Sequence, residues 1–269
     1  MPQARAGEVN LYYEIHGAGP PLAVFNGLGG NMATWDPEFI DGLAMHFRTL
    51  VFDNRGTGRS DKPDHPYSIK MFADDAAALF ETLGFARAHI FGASMGGMIA
   101  QQFALDHAGR VEGLVLCCTT PGGSDSTPPS LETLQAIANT DGLSPAELTR
   151  RNRRLAFMPS FIAAHEEYLD AKLLKEIEYP TPPHALAHHF GAAVHFNVAE
   201  RLSEIRQPTL VMVGREDLMV PAPNSMLLAR HIPRADLIVF AQAGHGVLTE
   251  RRAECLEAIV SFLARHAPE

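Results

Sequence analysis

The amino-acid sequence predicts an α/β fold, with a mostly parallel β-sheet, helices on both faces and one helical insertion. Short apolar runs alternate with helical patterns along most of the chain, and this alternation is interrupted once, between about residues 120 and 205. With 269 residues, of which 46% are hydrophobic, the chain is long enough to bury one large core. We therefore expect one core domain that carries an inserted subdomain.

Seven apolar runs are predicted to be strands, and several are continuous, as is typical of strands buried on both faces. The predicted strands are Val9–Ile15, Leu22–Asn26, Thr49–Asp53, His89–Ala93, Val111–Cys118, Pro208–Gly214 and Leu237–Ala241. Helical patterns lie at Ile69–Leu83, Met95–His107 and Ala253–Arg265. Because strands and helices alternate, the sheet is expected to be mostly parallel.

Residues 121–205 are predicted to form a helical lid after the strand that ends at Cys118, and residues 1–120 and 206–269 the core domain. No run in this segment has the quality of the other strands. Its clearest helix start is the stretch "LSPAEL", where Ser144 can cap, Pro145 suits the first turn and Glu147 can complete a capping box.

Composition and charge exclude several classes of protein. The formal net charge of −9 argues against nucleic acid as a partner, because phosphates need a basic surface. No apolar run is long enough to cross a bilayer, and the first residues lack the apolar core of a signal peptide, so a cytoplasmic protein without membrane partners is expected. The three cysteines, Cys117, Cys118 and Cys255, are expected to be reduced and buried. A homodimer remains open.

The segment Gly92-Ala93-Ser94-Met95-Gly96 lies between a predicted strand and a predicted helix. Its glycines allow a sharp turn in which larger side chains would clash. Such a turn exposes the hydroxyl of Ser94 at the beginning of a helix, where free N–H groups and the helix dipole favour developing negative charge. We therefore predict that Ser94 is a nucleophile.

A serine nucleophile needs a base, and the base needs an acid to orient it. Asp217 follows one predicted strand and His245 follows the next, at the sheet edge where Ser94 is expected. Asp217 and His245 are therefore the candidate acid and base, with Glu216 as a rival acid. A structural role for His245 is the alternative.

The remaining histidines are given no catalytic role. His184 and His188 are four residues apart and could pair on a metal, but a solvated helix is the preferred interpretation, and His189 beside them has no assigned purpose. No metal and no organic cofactor are expected.

An oxyanion intermediate needs two N–H donors. The N–H of Met95, directly after the nucleophile, is one candidate. The other is the N–H of Leu28 in the loop "NGLGGN", where Gly27 and Gly29 would let the backbone approach a substrate. A phosphate cradle is the alternative for this loop, but the lysine and the spacing of a P-loop are missing.

The motifs "NGLGGN…W", "FDNRGTGRSDKP", "GASMGG", "GREDLMVP" and "AGHGV" occur in an order that resembles the α/β-hydrolase family over nearly the whole chain except the lid. Within it, the chain resembles the group of 3-oxoadipate enol-lactonases, aclacinomycin methylesterases and cofactor-free haloperoxidases. The resemblance implies an eight-stranded sheet, a lid after the sixth strand, the triad Ser94, Asp217 and His245, and oxyanion donors Leu28 and Met95. The chain departs from many members at Asn26, where they carry histidine, and this weakens the assignment of a substrate.

Several residues are candidates for the substrate pocket. Besides Gly27 and Gly29, they are Trp35, Phe157, Phe161 and Met219. Trp35 either lines the pocket or packs the first helix, and packing roles are open for the others. Arg55 and Arg59 in "DNRGTGRS" are expected to be structural, with a carboxylate clamp as the alternative.

These observations predict a serine hydrolase that cleaves a small or medium carboxylic ester or lactone through an acyl-enzyme. The same triad could instead hydrolyse a C–C bond or carry out perhydrolase or haloperoxidase chemistry. A ligand-binding member of the fold that does not turn over is the alternative from another class.

Overall fold

The computed structural model describes residues 2–139 and 142–266, so Met1, residues 140–141 and residues 267–269 of the predicted domain ranges lie outside it. The described residues form an eight-stranded sheet. Its strands are β1 Gln3–Ala6, β2 Val9–His16, β3 Pro21–Phe25, β4 Arg48–Phe52, β5 Ala88–Ala93, β6 Val111–Cys117, β7 Thr209–Gly214 and β8 Ala235–Phe240.

The strands lie side by side in the order β1-β2-β4-β3-β5-β6-β7-β8. β2 pairs antiparallel with β1 and with β4, whereas the pairings along β4-β3-β5-β6-β7-β8 are all parallel. The carboxyl ends of β3, β5, β6, β7 and β8 therefore meet at one edge of the sheet. The predicted mostly parallel sheet is confirmed.

The seven predicted strands correspond to β2–β8, with ends shifted by at most two residues. The eighth, β1, has only the four residues Gln3–Ala6, and just two of their side chains are buried. Such a short edge strand carries no continuous apolar run, so the residues alone did not predict it.

The described helices alternate with the strands and include a group between β6 and β7. They are α1 Pro37–Ala44, α2 Ile69–Leu83, α3 Met95–Asp106, α4 Leu131–Ala138, α5 Pro145–Ala156, α6 Pro159–Ala164, α7 Glu166–Glu176, α8 Pro183–Val194, α9 Pro223–His231, α10 Val247–Glu250 and α11 Arg252–Ala264. The three helices predicted from the sequence correspond to α2, α3 and α11. Their ends are displaced by at most one residue.

Helices cover both faces of the sheet because strand side chains alternate between two cores. Ala23 and Phe25 of β3 pack with α2 and α3, whereas Leu22 and Val24 pack with α1 and α11. This arrangement leaves the carboxyl edge of the sheet to the loops.

Helices α4–α8 lie between β6 and β7, and we call residues 131–194 the helical segment. The predicted capping box is present in it: Ser144 caps α5 and exchanges hydrogen bonds with Glu147. Whether the helical segment acts as a lid over a substrate, and whether it divides the chain at residues 121 and 205, stays a prediction.

Two further expectations concern the cysteines and membrane-spanning helices. Cys117, Cys118 and Cys255 are all free and buried. None of the helices in the described residues has the length and apolar character needed to cross a membrane.

Candidate active site

Ser94 lies in a strained turn between β5 and α3. Its backbone has φ 57° and ψ −124°, a region that residues other than glycine rarely occupy and that costs about 1–3 kcal/mol. Two hydrogen bonds hold the turn: the Ser94 N–H donates to the carbonyl of Cys117 at 2.9 Å, and the Thr119 hydroxyl donates to the Ser94 carbonyl at 2.8 Å. The strain therefore persists because β6 and its following loop fix the backbone on both sides of the serine.

The glycines of the motif are required by close backbone approach. A Cβ on Gly92 would lie 2.2 Å from the Gly96 carbonyl oxygen, and one on Gly96 would lie 2.0 Å from the Phe25 carbonyl oxygen. Since neither backbone group can move aside cheaply, only glycine fits at both positions. The beginning of α3 is thereby pressed against the ends of β3 and β5.

Asp217 and His245 form a hydrogen-bonded pair at the ends of β7 and β8. His245 Nδ1 lies 2.8 Å from Asp217 Oδ2, and the Asp217 side chain is fully buried. The other carboxylate oxygen, Oδ1, accepts from the N–H groups of Met219 at 2.9 Å and Val220 at 2.8 Å. The carboxylate is thus fixed in orientation, and it holds the His245 ring with Nδ1–H donating and Nε2 left for another partner.

The contact with Asp217 also sets the pKa of His245. Burial disfavours the charged ring, but the Asp217 charge and hydrogen bond outweigh it and raise the pKa of His245 above its usual 6.5. This base is therefore stronger than a free histidine.

Glu216, the rival acid, is occupied elsewhere, because its Oε2 accepts from the Ala243 N–H at 3.1 Å.

Cys118 is a neighbour of the Asp217–His245 pair that the sequence did not suggest. Its ligand atom and those of Asp217 and His245 lie within 4.8 Å of one another. A contact with Cys117, together with burial, raises the pKa of the Cys118 thiol far above its usual range. A protonated thiol is both a poor nucleophile and a poor metal ligand.

The loop after β3 lies against the serine. A Cβ on Gly27 would lie 3.4 Å from Ser94 Cβ and 3.8 Å from Ser94 Oγ. Among the described residues, no protein group accepts a hydrogen bond from the N–H of Leu28 or of Met95. Both predicted donors are thus unpaired, and the loop that carries Leu28 begins beside the serine.

A family model described as the α/β hydrolase fold matches residues 20–251. The chain belongs to the α/β-hydrolase fold family. The resemblance inferred from its motifs is therefore confirmed.

Three hydrolases illustrate this similarity. RutD of Azorhizobium caulinodans, assigned as a carbamate hydrolase, is 32% identical over 235 residues, covering 87% of this chain and 88% of its own. The enol-lactonase of Burkholderia xenovorans LB400 has a TM-score of 0.86 and 28% identity, covering 98% of this chain and 100% of its own. Est816, described as an N-acyl homoserine lactone degrading enzyme, has a TM-score of 0.81 and 32% identity, covering 97% and 100%. The family and these relatives support hydrolase activity for this chain.

Asn26 replaces the histidine of many α/β-hydrolases, and the structure gives it a scaffold role. Its side-chain amide donates to the Phe52 carbonyl at 2.6 Å, and its own carbonyl accepts from the Asn54 side chain at 3.2 Å. These buried bonds tie the end of β3 to the end of β4, so the start of the loop is anchored without a histidine.

Three of the predicted pocket residues come from the helical segment and from the loop after β7: Phe157, Phe161 and Met219. Phe157 lies beside the base, because a Cβ on Gly246, next to His245, would lie 2.2 Å from its ring, and Phe157 stacks on Phe161 at 5.5 Å between ring centroids. Met219 is partly buried and donates its N–H to Asp217. These residues lie around the Asp217–His245 pair, and their contact with a substrate stays a prediction.

Trp35 takes the packing role that its sequence position left open. Its indole stacks on Phe39 of α1, with ring centroids 6.1 Å apart, and contacts Phe91 at 5.7 Å. It also lines a cavity of about 440 Å³, but none of the triad candidates is among the described residues that form the wall of this cavity.

Arg55 and Arg59 are engaged within the fold, in line with the structural interpretation. The Arg55 guanidinium is buried and forms a two-pronged ion pair with Asp75, at 2.6 and 2.7 Å. The Arg59 guanidinium lies over the rings of Tyr12 and Tyr179, at 4.4 and 4.5 Å from their centroids.

The histidines of α8 differ from one another. His188 Nε2 contacts the exposed carboxylate of Asp64 at 3.0 Å, and His184 Nε2 lies 3.4 Å from the Lys62 carbonyl oxygen. His189 is fully buried, contrary to the solvated interpretation of this helix. It follows Ala185 by four residues and precedes Ala192 by three, so it lies on the buried stripe of α8. That periodicity was the signal in the sequence that could have revealed it.

The close approach at Gly96 leads to a testable prediction about the turn. Helix propensity alone favours alanine over glycine by about 1 kcal/mol. The 2.0 Å approach to the Phe25 carbonyl opposes this, and we expect Gly96→Ala to lower the free energy of unfolding by roughly 2 kcal/mol or more. Denaturant unfolding measures this change, and the rate of labelling of Ser94 by a fluorophosphonate should fall with it.

Gly191→Ala in α8 is the matched control, because a Cβ there would meet no atom within 4 Å. This control should be neutral or stabilise the protein by up to about 1 kcal/mol. Equal effects of the two substitutions would contradict the steric explanation of the motif.

Proposed function

We propose that this chain is a serine hydrolase that cleaves a small or medium carboxylic ester or lactone through an acyl-enzyme. The observation that carries the proposal is the 2.8 Å hydrogen bond between His245 and Asp217, at the same sheet edge as the strained turn of Ser94. A base oriented by a buried carboxylate, at the sheet edge where a partly buried serine begins a helix, provides the groups that acyl transfer requires.

In the first half of the proposed reaction, Ser94 Oγ attacks the substrate carbonyl while His245 Nε2 accepts the hydroxyl proton. The new C–O bond forms as the carbonyl π electrons move onto oxygen. Asp217 keeps the His245 ring in the required tautomer and stabilises its positive charge. The tetrahedral intermediate then collapses, the alcohol leaves with the proton from His245, and Ser94 is acylated.

The negative charge of the intermediate needs donors that are in place before the reaction. The unpaired N–H groups of Leu28 and Met95 are the proposed donors. In the second half, His245 removes a proton from water, which attacks the acyl-enzyme. The carboxylic acid is released and Ser94 regains its proton. In a lactone the alcohol and the acid remain parts of one product.

Two relatives support a lactone or ester as the substrate. One is an enol-lactonase, and the other is described as an N-acyl homoserine lactone degrading enzyme. In this chain, the rings of Phe157 and Phe161 beside the His245 loop provide apolar surface for the acyl part, and the helical segment would act as a lid that excludes water.

A carbamate is the second candidate substrate, and the similarity to RutD favours it. A carbamate carbonyl can be attacked by the same serine, with the donors and base in unchanged roles. C–C bond hydrolysis, perhydrolysis and non-catalytic binding use the same residues, and a product assay separates them from ester cleavage.

Proton release at constant pH tests the proposal against a panel of small lactones, methyl esters, p-nitrophenyl esters and simple carbamates. We expect turnover of at least one ester or lactone, and a loss of roughly 10⁴-fold or more in kcat in Ser94→Ala, because the nucleophile is removed. Undiminished turnover in a folded Ser94→Ala variant would contradict the mechanism. Preference for the carbamates would select the second candidate.

The contact with Asp217 also predicts a pH dependence. His245 acts as a base only when neutral, so kcat/KM should rise with pH and level off above the pKa of His245. Because that pKa is raised, the midpoint of the acidic limb should lie above pH 6.5. Steady-state kinetics with a p-nitrophenyl ester between about pH 5 and 9 locate this limb.

Two neighbouring carboxyl groups provide a matched pair for the same measurement. In Asp217→Asn the amide oxygen can still accept from Met219 and Val220, which turns the NH₂ group towards His245 and imposes the wrong tautomer. We expect kcat to fall about 10⁴-fold. Glu216→Gln keeps an acceptor for the Ala243 N–H and should change kcat less than about threefold. Equal losses in the two variants, or a limb below pH 6.5, would contradict the assignment of Asp217.

A further inference from the structure

The backbone of Gly29 is held on both sides by side chains from the helical segment. Its N–H donates to His189 Nδ1 at 3.3 Å, and its carbonyl accepts from the Thr181 hydroxyl at 2.8 Å. These partners lie 160 and 152 residues further along the chain. Gly29 directly follows Leu28, the proposed oxyanion donor, so the two bonds act on the catalytic loop itself.

Gly29 occupies the third position of a tight turn. The Gly30 N–H donates to the Gly27 carbonyl at 3.2 Å, and Gly29 has φ 65°, the left-handed conformation that a type II turn requires there. The Gly27 carbonyl and the Leu28 N–H belong to one planar peptide unit and point in opposite directions. The turn therefore fixes the direction of the Leu28 N–H, and the bonds to Gly29 hold the turn.

His189 is suited to this contact in only one tautomer. Its Nε2 lies 2.8 Å from the Arg55 carbonyl oxygen, which can only accept, so Nε2 carries the proton and Nδ1 accepts from Gly29. Burial lowers the pKa of His189 to about 4, which keeps the ring neutral at neutral pH. Arg55 is itself fixed by Asp75, so the ring is supported by a rigid part of the core.

Two further hydrogen bonds, both from Asn31, tie the loop to the helical segment. The Asn31 side-chain amide donates to the carbonyls of Tyr179 at 3.0 Å and Glu176 at 3.3 Å, while its Oδ1 accepts from the Ala33 N–H. The end of the loop is therefore attached to the segment independently of Gly29.

We propose that Thr181 and His189 are positioning residues that hold the turn at Gly29 and thereby aim the Leu28 N–H for oxyanion stabilisation. The helical segment would then set the rate of the chemical step in addition to covering the substrate. This inference rests on the proposed serine hydrolase mechanism.

The first test compares Thr181→Val with Thr181→Ser. Valine removes the hydroxyl at nearly constant volume, whereas serine keeps it. For Thr181→Val we expect kcat to fall about 5- to 50-fold with KM changed less than about twofold, because the donor matters in the transition state more than in substrate binding. Thr181→Ser should restore kcat to within about threefold of the wild type.

The second test compares His189→Gln with His188→Gln on the same helix. A glutamine at 189 replaces a rigid ring by a flexible chain, so we expect its bond to Gly29 to weaken and kcat again to fall while KM is retained. His188 contacts only the exposed Asp64 among the charged groups of the described residues, and its variant should keep the wild-type kcat. Thermal unfolding checks that each variant is folded. If His189→Gln does not fold, the comparison of Thr181→Val with Thr181→Ser tests the proposal on its own.

Three results would overturn the proposal: wild-type kcat in folded Thr181→Val, an equal loss in Thr181→Ser, or an increase in KM alone. Amide hydrogen exchange of Gly29 gives a readout that does not depend on turnover. We expect its protection to fall in Thr181→Val and to recover in Thr181→Ser. If the wild-type protein turns over no ester, lactone or carbamate, the proposed function fails, yet the exchange data still show whether Thr181 holds the turn.

Discussion

The close approach of α3 to β3 is the constraint on which the candidate site depends. The Gly96 backbone lies against the Phe25 carbonyl, and the chain enters α3 through a tight turn in which Ser94 has a positive φ. The loop after β3 lies next to the serine, so that a Cβ on Gly27 would lie 3.4 Å from Ser94 Cβ. One packing interaction in the core therefore positions both the candidate nucleophile and the candidate oxyanion loop, while the hydrogen bonds with Cys117 and Thr119 hold the strained backbone of Ser94.

The candidate acid and base are held by a different part of the sheet. β7 and β8 are parallel neighbours, and the loops that follow them bring Asp217 and His245 into contact. The helical segment adds a third element, since its side chains fix the turn at Gly29. The candidate site thus draws on both the sheet edge and the helical segment, and its residues are scattered from position 27 to position 245.

Local patterns predicted most of this arrangement. The strands β2–β8, the tight turn at Ser94 and the meeting of Asp217 with His245 at the sheet edge follow from apolar runs, glycines and spacing. The strand β1 was missed because Gln3–Ala6 is short and half exposed. The role of His189 was missed because its partners, Gly29 and the Arg55 carbonyl, are distant in sequence and are backbone groups, which leave no trace in residue type. Trp35 was ambiguous because its aromatic ring suits both a core and a pocket.

The central claim is that Ser94 forms a covalent acyl intermediate, and trapping this species tests it most directly. A p-nitrophenyl ester has a good leaving group, so acylation should outrun deacylation and the intermediate should accumulate. Acid quenching within the first turnover, followed by mass spectrometry of peptides, should find the acyl group on the peptide that contains Ser94. An acyl group on another residue, or steady turnover with Ser94 unmodified throughout the burst, would contradict the mechanism.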